Sequence, residues 1–280
     1  MLRLVLAILC VSTGAPWARW AAPAPPLAIG AMRTGFASVL LFAVGWRDIG
    51  KLWSLPARDK RLVIASGVLL GVHFGSWIAS LSFTSTAASV ALVATNPMFA
   101  AMFGTLLGDR VTRREVMGIA IAAVGCAVLA GGDWQSGGDA LIGDVLALIG
   151  AASAAAYLVV GRRLRGSVPL FPYLGAVNAI AAVGLGAALV VSGADIAAIS
   201  GHSVIACAGA AVVASLVGHS LLNAAVRVTP THLVALAILG EPVAASLTTW
   251  AAFGEQPPIH AALGAAIVIA GIAVGFVRKR

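Results

Sequence analysis

Long apolar stretches separated by short polar breaks run along the whole chain. Each stretch is about 20 residues long, the length that a helix needs to cross roughly 30 Å of hydrocarbon. Prolines and glycines mark several breaks, as in "APAPP" at 22–26. The pattern predicts ten membrane-spanning helices, over residues 3–22, 26–46, 61–82, 85–107, 113–131, 140–160, 168–192, 203–224, 230–253 and 258–277.

Composition favours an all-α polytopic membrane protein. Of the 280 residues, 60% are hydrophobic and 10% are charged, whereas soluble domains carry about 25% charged residues. The net charge of +8 could suggest a nucleic-acid partner, but the basic residues cluster in short loops, as expected for loops kept in the cytoplasm. We therefore expect the lipid bilayer as a partner, and no nucleic acid.

The basic residues also predict an orientation in the inner (cytoplasmic) membrane. With the amino terminus inside, 16 of the 18 Lys and Arg residues lie on the cytoplasmic side, and both termini are cytoplasmic. The other two are Arg19, near the outer end of the first span, and Arg33, within the second. The opposite loops carry Asp133, Asp139, Asp195, His202 and Glu255.

The first span also has some features of a secretory signal peptide, with a basic start, a short apolar stretch and a later "AAPA". Removing it would leave nine spans and place the amino end outside. The one-sided charge distribution therefore favours a retained first span.

An internal repeat divides the chain. Asn96-Pro97 matches Glu241-Pro242 at an offset of 145 residues, and after one residue of slip Gly108-Asp109 matches Gly254-Glu255. The repeat predicts two halves of five helices, over residues 1–131 and 140–280, joined by a linker loop at 132–139. Because five is odd, the second half enters the membrane inverted. Inverted repeats are typical of secondary transporters, whose substrate site lies between the halves.

These features resemble the EamA type of the drug/metabolite transporter superfamily. The resemblance is carried by the two copies of "NP/EP…GD/GE…G…G" and by the arginine that follows "PPLAIGAM". It implies a transporter with a central cavity lined by helices one to four and six to nine. It also implies that the peripheral helices five and ten can support a homodimer. This chain departs from the commoner pattern at Asn96, where many members have Glu, which puts ion coupling through a glutamate pair in doubt.

The third span has two different faces. Gly67, Gly71 and Gly75 form a small-residue stripe that allows close helix packing. On the other face, helical spacing aligns His73 and Trp77, followed by Ser80 and Thr84. This face is a candidate cavity wall, with helix-to-helix hydrogen bonding of His73 as the alternative.

Arg33 is the most costly side chain in the apolar stretches, at about 2.5–3.5 kcal/mol for insertion at the centre of a helix. It could reach the membrane surface, face the cavity, pair with Glu241 or attract an anionic substrate group. Glu241 and His219 are candidates for proton coupling. The remaining candidates for substrate contact are Asn96, His219, Asn223 and Trp17. Pro97 and Pro242 are expected to bend their helices.

No enzyme motif, metal-ligand spacing or cofactor fingerprint is present, and the three cysteines lie far apart in apolar runs. We therefore expect no catalytic residue, metal or cofactor. The sequence predicts an efflux permease, exporting small organic metabolites such as amino acids by alternating access. The alternative is a membrane-embedded enzyme, or a lipid-handling or scaffold protein, without transport activity.

Overall fold

The computed structural model describes residues 2–84, 86–130, 138–254 and 256–276, and within them it contains helices and turns but no strand. We number the long helices in chain order: α1 (Leu2–Ser12 and Gly14–Trp20), α2 (Pro26–Val44), α3 (Ala57–Ser80), α4 (Thr86–Val93 and Asn96–Thr105), α5 (Arg113–Ala130), α6 (Gly138–Arg163), α7 (Leu170–Ser192), α8 (Gly201–Ala210, Ala211–His219 and Ser220–Val226), α9 (Thr231–Ile238 and Glu241–Phe253) and α10 (Ile259–Phe276). Short helical turns lie at Trp46–Asp48, Gly50–Trp53 and Ile196–Ala198.

Each predicted span corresponds to one of these helices, which confirms the all-α fold. Among the described residues, nine helices are long and apolar enough to cross a membrane. The exception is α5, whose first three residues, Arg113, Arg114 and Glu115, are all charged. Residues 131–137, which include most of the predicted linker at 132–139, lie outside the described part of the chain.

The largest difference from the predicted boundaries is at the start of α3. This helix begins at Ala57, directly after Pro56, rather than at residue 61. Its first residues include Arg58, Asp59 and Lys60, which the hydropathy pattern excluded. Proline pre-sets the backbone for a helix start, and long basic side chains at a helix end can reach the membrane surface.

Three membrane helices are interrupted. α1 breaks at Thr13, α4 between Val93 and Asn96, and α9 between Ile238 and Glu241. Pro97 and Pro242 each occupy the second position of the segment that follows the break. A proline costs least in the first turn of a helix, because backbone N–H groups there have no partner within the helix. The two prolines therefore begin new helical segments at matched places in the repeats.

The glycine stripe of α3 lies against α7. A Cβ at Gly67 would come within 2.6 Å of Ile180, and one at Gly71 would lie 3.4 Å from the Cα of Ala181. On the neighbouring side of α7, the Ser38 hydroxyl of α2 donates a 2.9 Å hydrogen bond to the Gly175 carbonyl. Helices α2 and α3 of the first half are therefore packed directly on α7 of the second.

Helices α5 and α10 form a second tight contact between the halves, made through glycines. A Cβ at Gly271 would lie 2.4 Å from the Ala122 nitrogen, and one at Gly118 would lie 2.6 Å from the Gly271 oxygen. Similar close approaches occur at Gly125 and Gly264. The backbones touch because these positions have no side chain, as in other small-residue contacts of membrane helices.

Polar contacts join the two halves at both ends of the bundle. We call the end formed by loops 45–56, 106–112, 164–169 and 227–230 the basic end. There Asp109 forms an ion pair with Arg162, with 6% and 16% of the side chains exposed. At the opposite end, the Thr84 hydroxyl donates to Asp144 at 2.9 Å.

We predict that Gly271→Ala lowers the thermal unfolding midpoint, because the new methyl group would push α10 away from α5. Overpacking of this kind costs about 1–3 kcal/mol, which exceeds the gain of at most about 1 kcal/mol in helix propensity. Gly184→Ala is the matched control, since a Cβ there meets nothing within 4 Å. Equal midpoints for the two variants, measured on purified protein, would contradict the packing described above.

Candidate functional site

A buried arginine links the two halves near the middle of the bundle. Arg33 extends from α2, and its Nε donates a 3.0 Å hydrogen bond to the Ser215 hydroxyl of α8. Its Nη2 lies 3.0 Å from Nε2 of His219, also on α8, which accepts the bond. The guanidinium therefore does not reach toward the membrane surface. It is fixed on the second half of the chain through two side chains.

The irregular part of α8 presents both partners of Arg33. Residues Ala211–His219 form a π-helix, in which hydrogen bonds run from residue i to i+5 and the turn is wider than in an α-helix. Ser215 and His219 are four residues apart and lie on the same face of this segment. Single π-turns inside α-helices occur frequently at functional sites, and here the wide turn ends at His219.

The guanidinium is only partly satisfied by the protein. Its Nη1 has no hydrogen-bond partner among the described residues, and it lies beside the break in α1, where a Cβ on Gly14 would be 3.4 Å away. The Phe74 ring of α3 lies 5.4 Å from the guanidinium carbon, at cation–π distance. One edge of Arg33 thus remains available for an additional acceptor.

Glu241 supplies a negative charge close to this arginine. The two residues interact electrostatically, but no ion pair within 4 Å joins them in the described structure. Glu241 is partly exposed and has no hydrogen-bond partner in the described part of the chain. It stands directly after the break in α9, at its first helical position. A free carboxylate therefore lies within electrostatic range of a partly free guanidinium.

His73 belongs to the same group of charges and potential charges. It lies within electrostatic range of both Arg33 and His219. Its Nδ1–H donates a 2.9 Å hydrogen bond to the Gly150 carbonyl of α6, the helix-to-helix bond that the sequence left as an alternative. Arg33, His73, His219 and Glu241 form what we call the central cluster.

Asn223 contacts the central cluster through the backbone carbonyl of His219. Its side chain is 3% exposed, accepts a 3.0 Å hydrogen bond from the Tyr157 hydroxyl and donates to the His219 carbonyl at 2.8 Å. These bonds use both ends of the amide. In this structure Asn223 therefore positions α8 against α6 and does not present a free polar group.

The remaining polar residues of α3 lie against other helices. Ser80 is 0% exposed and bonds the Trp77 carbonyl at 2.6 Å and the Ser89 hydroxyl of α4 at 2.7 Å. Trp77 is partly exposed and borders Gly150, where a Cβ would lie 3.5 Å from that of Trp77. The face that helical spacing predicted as a cavity wall therefore packs largely on α6, because Gly150 lets the two helices approach.

Two other candidates make no hydrogen bond to the central cluster among the described residues. Asn96 stands just after the break in α4, and its side-chain oxygen is buried without a hydrogen-bond partner among the described residues. Trp17 packs on α8, since a Cβ at Gly209 would be 2.7 Å from its ring, and its ring centroid is 5.4 Å from that of Trp20. Trp17 thus fills space between α1 and α8 near the end opposite the basic end.

Sequence reasoning missed Ser215, Phe74 and Tyr157 as members of this region. Serine and phenylalanine are ordinary residues in a membrane helix, so neither carries a signal of its own. The spacing of Ser215 and His219, one turn apart in "ASLVGH", was the available indication. It becomes specific only once Arg33 is known to face α8.

A pocket of about 350 Å³ lies elsewhere, where α5, α9 and α10 meet near the end opposite the basic end. It has no charged side chain in its lining, which comprises Leu129, Ala245, Ser246, Thr249, Gln256, Pro257, Pro258 and Ala261. Within the described residues, no group of three or more His, Cys, Asp or Glu residues could hold a metal ion. The central cluster is therefore the site with distinctive chemistry.

Helices arranged as two inverted halves, with a buried charged group at the contact between them, are typical of secondary transporters. The chain belongs to the EamA-like transporter family, whose model matches residues 1–131 and 141–277. This confirms the resemblance found in the sequence. The matching model describes a family of transporters.

A solved structure described as "Crystal structure of protein" is similar to this chain with a TM-score of 0.85. It is 20% identical in sequence, and the alignment covers 98% of this chain and 95% of the other. At this identity the likeness shows the fold alone. The comparison with curated proteins gives no match.

We predict that Arg33 and Glu241 are energetically coupled. Arg33→Leu would leave the Glu241 carboxylate in the protein interior without its neighbouring positive charge, so it should destabilise the fold. Glu241→Gln in the same chain should restore part of the loss. The coupling energy from a double-mutant cycle of thermal stabilities should lie between about 0.5 and 3 kcal/mol. Additive effects would show that the two charges act independently.

Proposed function

We propose that the protein exports small organic metabolites, such as amino acids or related compounds, across the inner membrane by alternating access. The observation that carries this proposal is the bridge from Arg33 to Ser215 and His219. It places a partly free guanidinium at the contact between two inverted halves. A substrate that binds there would touch both halves at once, which couples its binding to their relative motion.

The charges of the central cluster suit a substrate with a carboxylate. An additional acceptor at Arg33 Nη1 would complete the hydrogen bonding of the guanidinium, and bonds of this charge-assisted kind are among the strongest in proteins. The free carboxylate of Glu241 offers a complementary partner for an ammonium group. Phe74 adds an aromatic surface beside the guanidinium. Together these groups support recognition of amino acids or similar compounds.

Glu241 and His219 are the proposed proton-coupling residues. Each can exist in charged and neutral forms, and each interacts with the fixed charge of Arg33. A proton bound by Glu241 would weaken its attraction to Arg33 and so favour release of the guanidinium to a substrate. Asn96, the matched residue of the first half, cannot carry a proton in this way.

The proposed setting is a multi-pass protein of the inner membrane with both termini in the cytoplasm, so that the basic end faces the cytoplasm. The outer faces of α5 and α10 expose large apolar side chains, among them Met117, Val124, Leu263 and Ile269. These faces would contact lipid or a second copy of the chain in a homodimer. Crosslinking through cysteines at 117 and 263 in native membranes would distinguish the two arrangements.

Reconstitution into liposomes tests the proposed function. The purified protein should move at least one compound from a panel of amino acids and related metabolites. Because the geometry of the cluster is the same for import and export, transport must be measured in both directions. Failure to move any compound either way would overturn the proposal.

We predict that Arg33→Gln lowers kcat/KM for a carboxylated substrate about 10- to 100-fold, since a hydrogen bond to a charged group contributes about 1.5–3 kcal/mol. Arg47→Gln is the matched control. Arg47 is exposed in the loop after α2 and stacks 5.2 Å over its neighbour Trp46. Transport by Arg33→Gln at the rate of Arg47→Gln would exclude Arg33 from the substrate site.

We predict that Glu241→Gln abolishes transport driven by a pH gradient, because the glutamine amide cannot carry a proton, while exchange of substrate for substrate persists at a lower rate. Asn96→Asp should leave pH-driven transport intact. The assay compares both variants in liposomes with and without a pH gradient. Unchanged pH-driven transport in Glu241→Gln would assign Glu241 a structural role instead.

A further inference from the structure

A buried histidine near the basic end of the bundle has no hydrogen bond to either ring nitrogen among the described residues. His232 is the second residue of α9 and is 0% exposed. Neither Nδ1 nor Nε2 has a hydrogen-bond partner among the described residues. Buried polar groups of folded proteins are nearly always hydrogen-bonded, so each exception requires an explanation. A neutral imidazole in this position leaves both a donor and an acceptor unused.

A carboxylate of the other half faces this histidine. Glu115, in the first turn of α5, has its Oε2 3.5 Å from His232 Nε2, and 15% of its side chain is exposed. The distance is too long for a good hydrogen bond but well within ion-pair range. The same oxygen accepts a 2.6 Å bond from the Thr112 backbone N–H, while the Thr112 hydroxyl accepts from the Glu115 N–H at 3.3 Å. This reciprocal capping holds the carboxylate in place.

We propose that Glu115 and His232 form a proton-binding site that closes the basic end of the transporter. A proton taken up by the imidazole converts the contact into an ion pair of opposite charges, shielded from water, between α5 of one half and α9 of the other. Opening of the basic end separates these helices and releases the proton on that side. The inference rests on the proposed transport function and adds a second proton site to it, distinct from the central cluster.

The inverted repeat shows that this site belongs to one end only. By the offset of 145 residues, His232 matches Ala87, and by the offset of 146 that follows the slip, Glu115 matches Ala261. The opposite end of the bundle therefore has alanine at both positions. A proton site present in one half of a symmetric architecture can bias one gate without affecting the other, which is what directional coupling requires.

Among the described residues, the other ionisable groups on the helices packed around α9 do not pair with His232, and several of them bond to other residues. Asp109 is paired with Arg162, Arg227 bonds the carbonyls of Val168 and Arg165, Tyr157 bonds Asn223, and the Cys126 thiol faces the Leu239 carbonyl. In the described part of the chain, no ion pair joins His232 to the remaining ionisable groups of these helices, which are Arg3, Cys10, Arg110, Arg113, Arg114, Asp139, Asp144, Arg163 and His260. Among these neighbours Glu115 is the charged group in contact with His232.

Distances across the basic end test the proposal without any substrate. Spin labels at positions 110 and 166 would sit on the loops after α4 and α6, on opposite halves of the chain, in a protein whose three cysteines are replaced. Arg110 is exposed, and Gly166 has open space around it. In lipid nanodiscs, raising the pH from about 5.5 to about 8, the range over which histidine switches of proteins operate, should shift the distance distribution toward longer values.

Glu115→Gln and His232→Gln should each abolish this pH response. His260→Gln should keep it, because His260 is an exposed histidine at the start of α10, at the end of the bundle opposite the basic end. A pH response preserved in both Glu115→Gln and His232→Gln, or absent from the wild type, would overturn the proposal. Failure to transport any metabolite would overturn the proposed function but leave this distance change unaffected.

Discussion

The structure depends on how the chain accommodates a guanidinium group inside the membrane. Arg33 cannot reach the surface from its place in α2, so its charge must be compensated within the bundle. The chain meets this constraint with Ser215 and His219 of α8, the Phe74 ring and the more distant charge of Glu241. All but Phe74 belong to the second half. The solution therefore ties the two halves together near the middle of the bundle.

Much of the fold could be predicted because the membrane imposes it. Apolar stretches of one length, prolines at their ends and basic loops on one side are properties that sequence displays directly. The breaks in α4 and α9 were only partly foreseen. The sequence predicted bends at Pro97 and Pro242. In the structure the helices are interrupted just before these prolines, at residues 94–95 and 239–240, whose types do not predict a break. The π-helix of α8 was not foreseen, because "AVVASLVGH" reads as an ordinary apolar run.

The candidate site shows where sequence reasoning reaches its limit. Arg33, His219 and Glu241 were identifiable because charged and ionisable residues are rare in membrane helices. Their partners were not, since Ser215 and Phe74 acquire their roles only through packing between halves. In this structure Ser80 and Asn223, both proposed as substrate contacts, are buried and bonded to neighbouring helices. The sequence did not predict the contact between Glu115 and His232 either. Each residue lies at a helix end, and the two meet only because α5 packs beside α9.

We propose that substrate binds at Arg33, so that the guanidinium contacts both halves and the ligand. An experimental structure of the protein with a transported carboxylated metabolite tests this most directly. We expect a ligand oxygen within about 3 Å of Arg33 Nη1, the usual length of a charge-assisted hydrogen bond. A ligand bound in the pocket beside Ser246 and Thr249, with Arg33 still bonded to Ser215 and His219 alone, would contradict it.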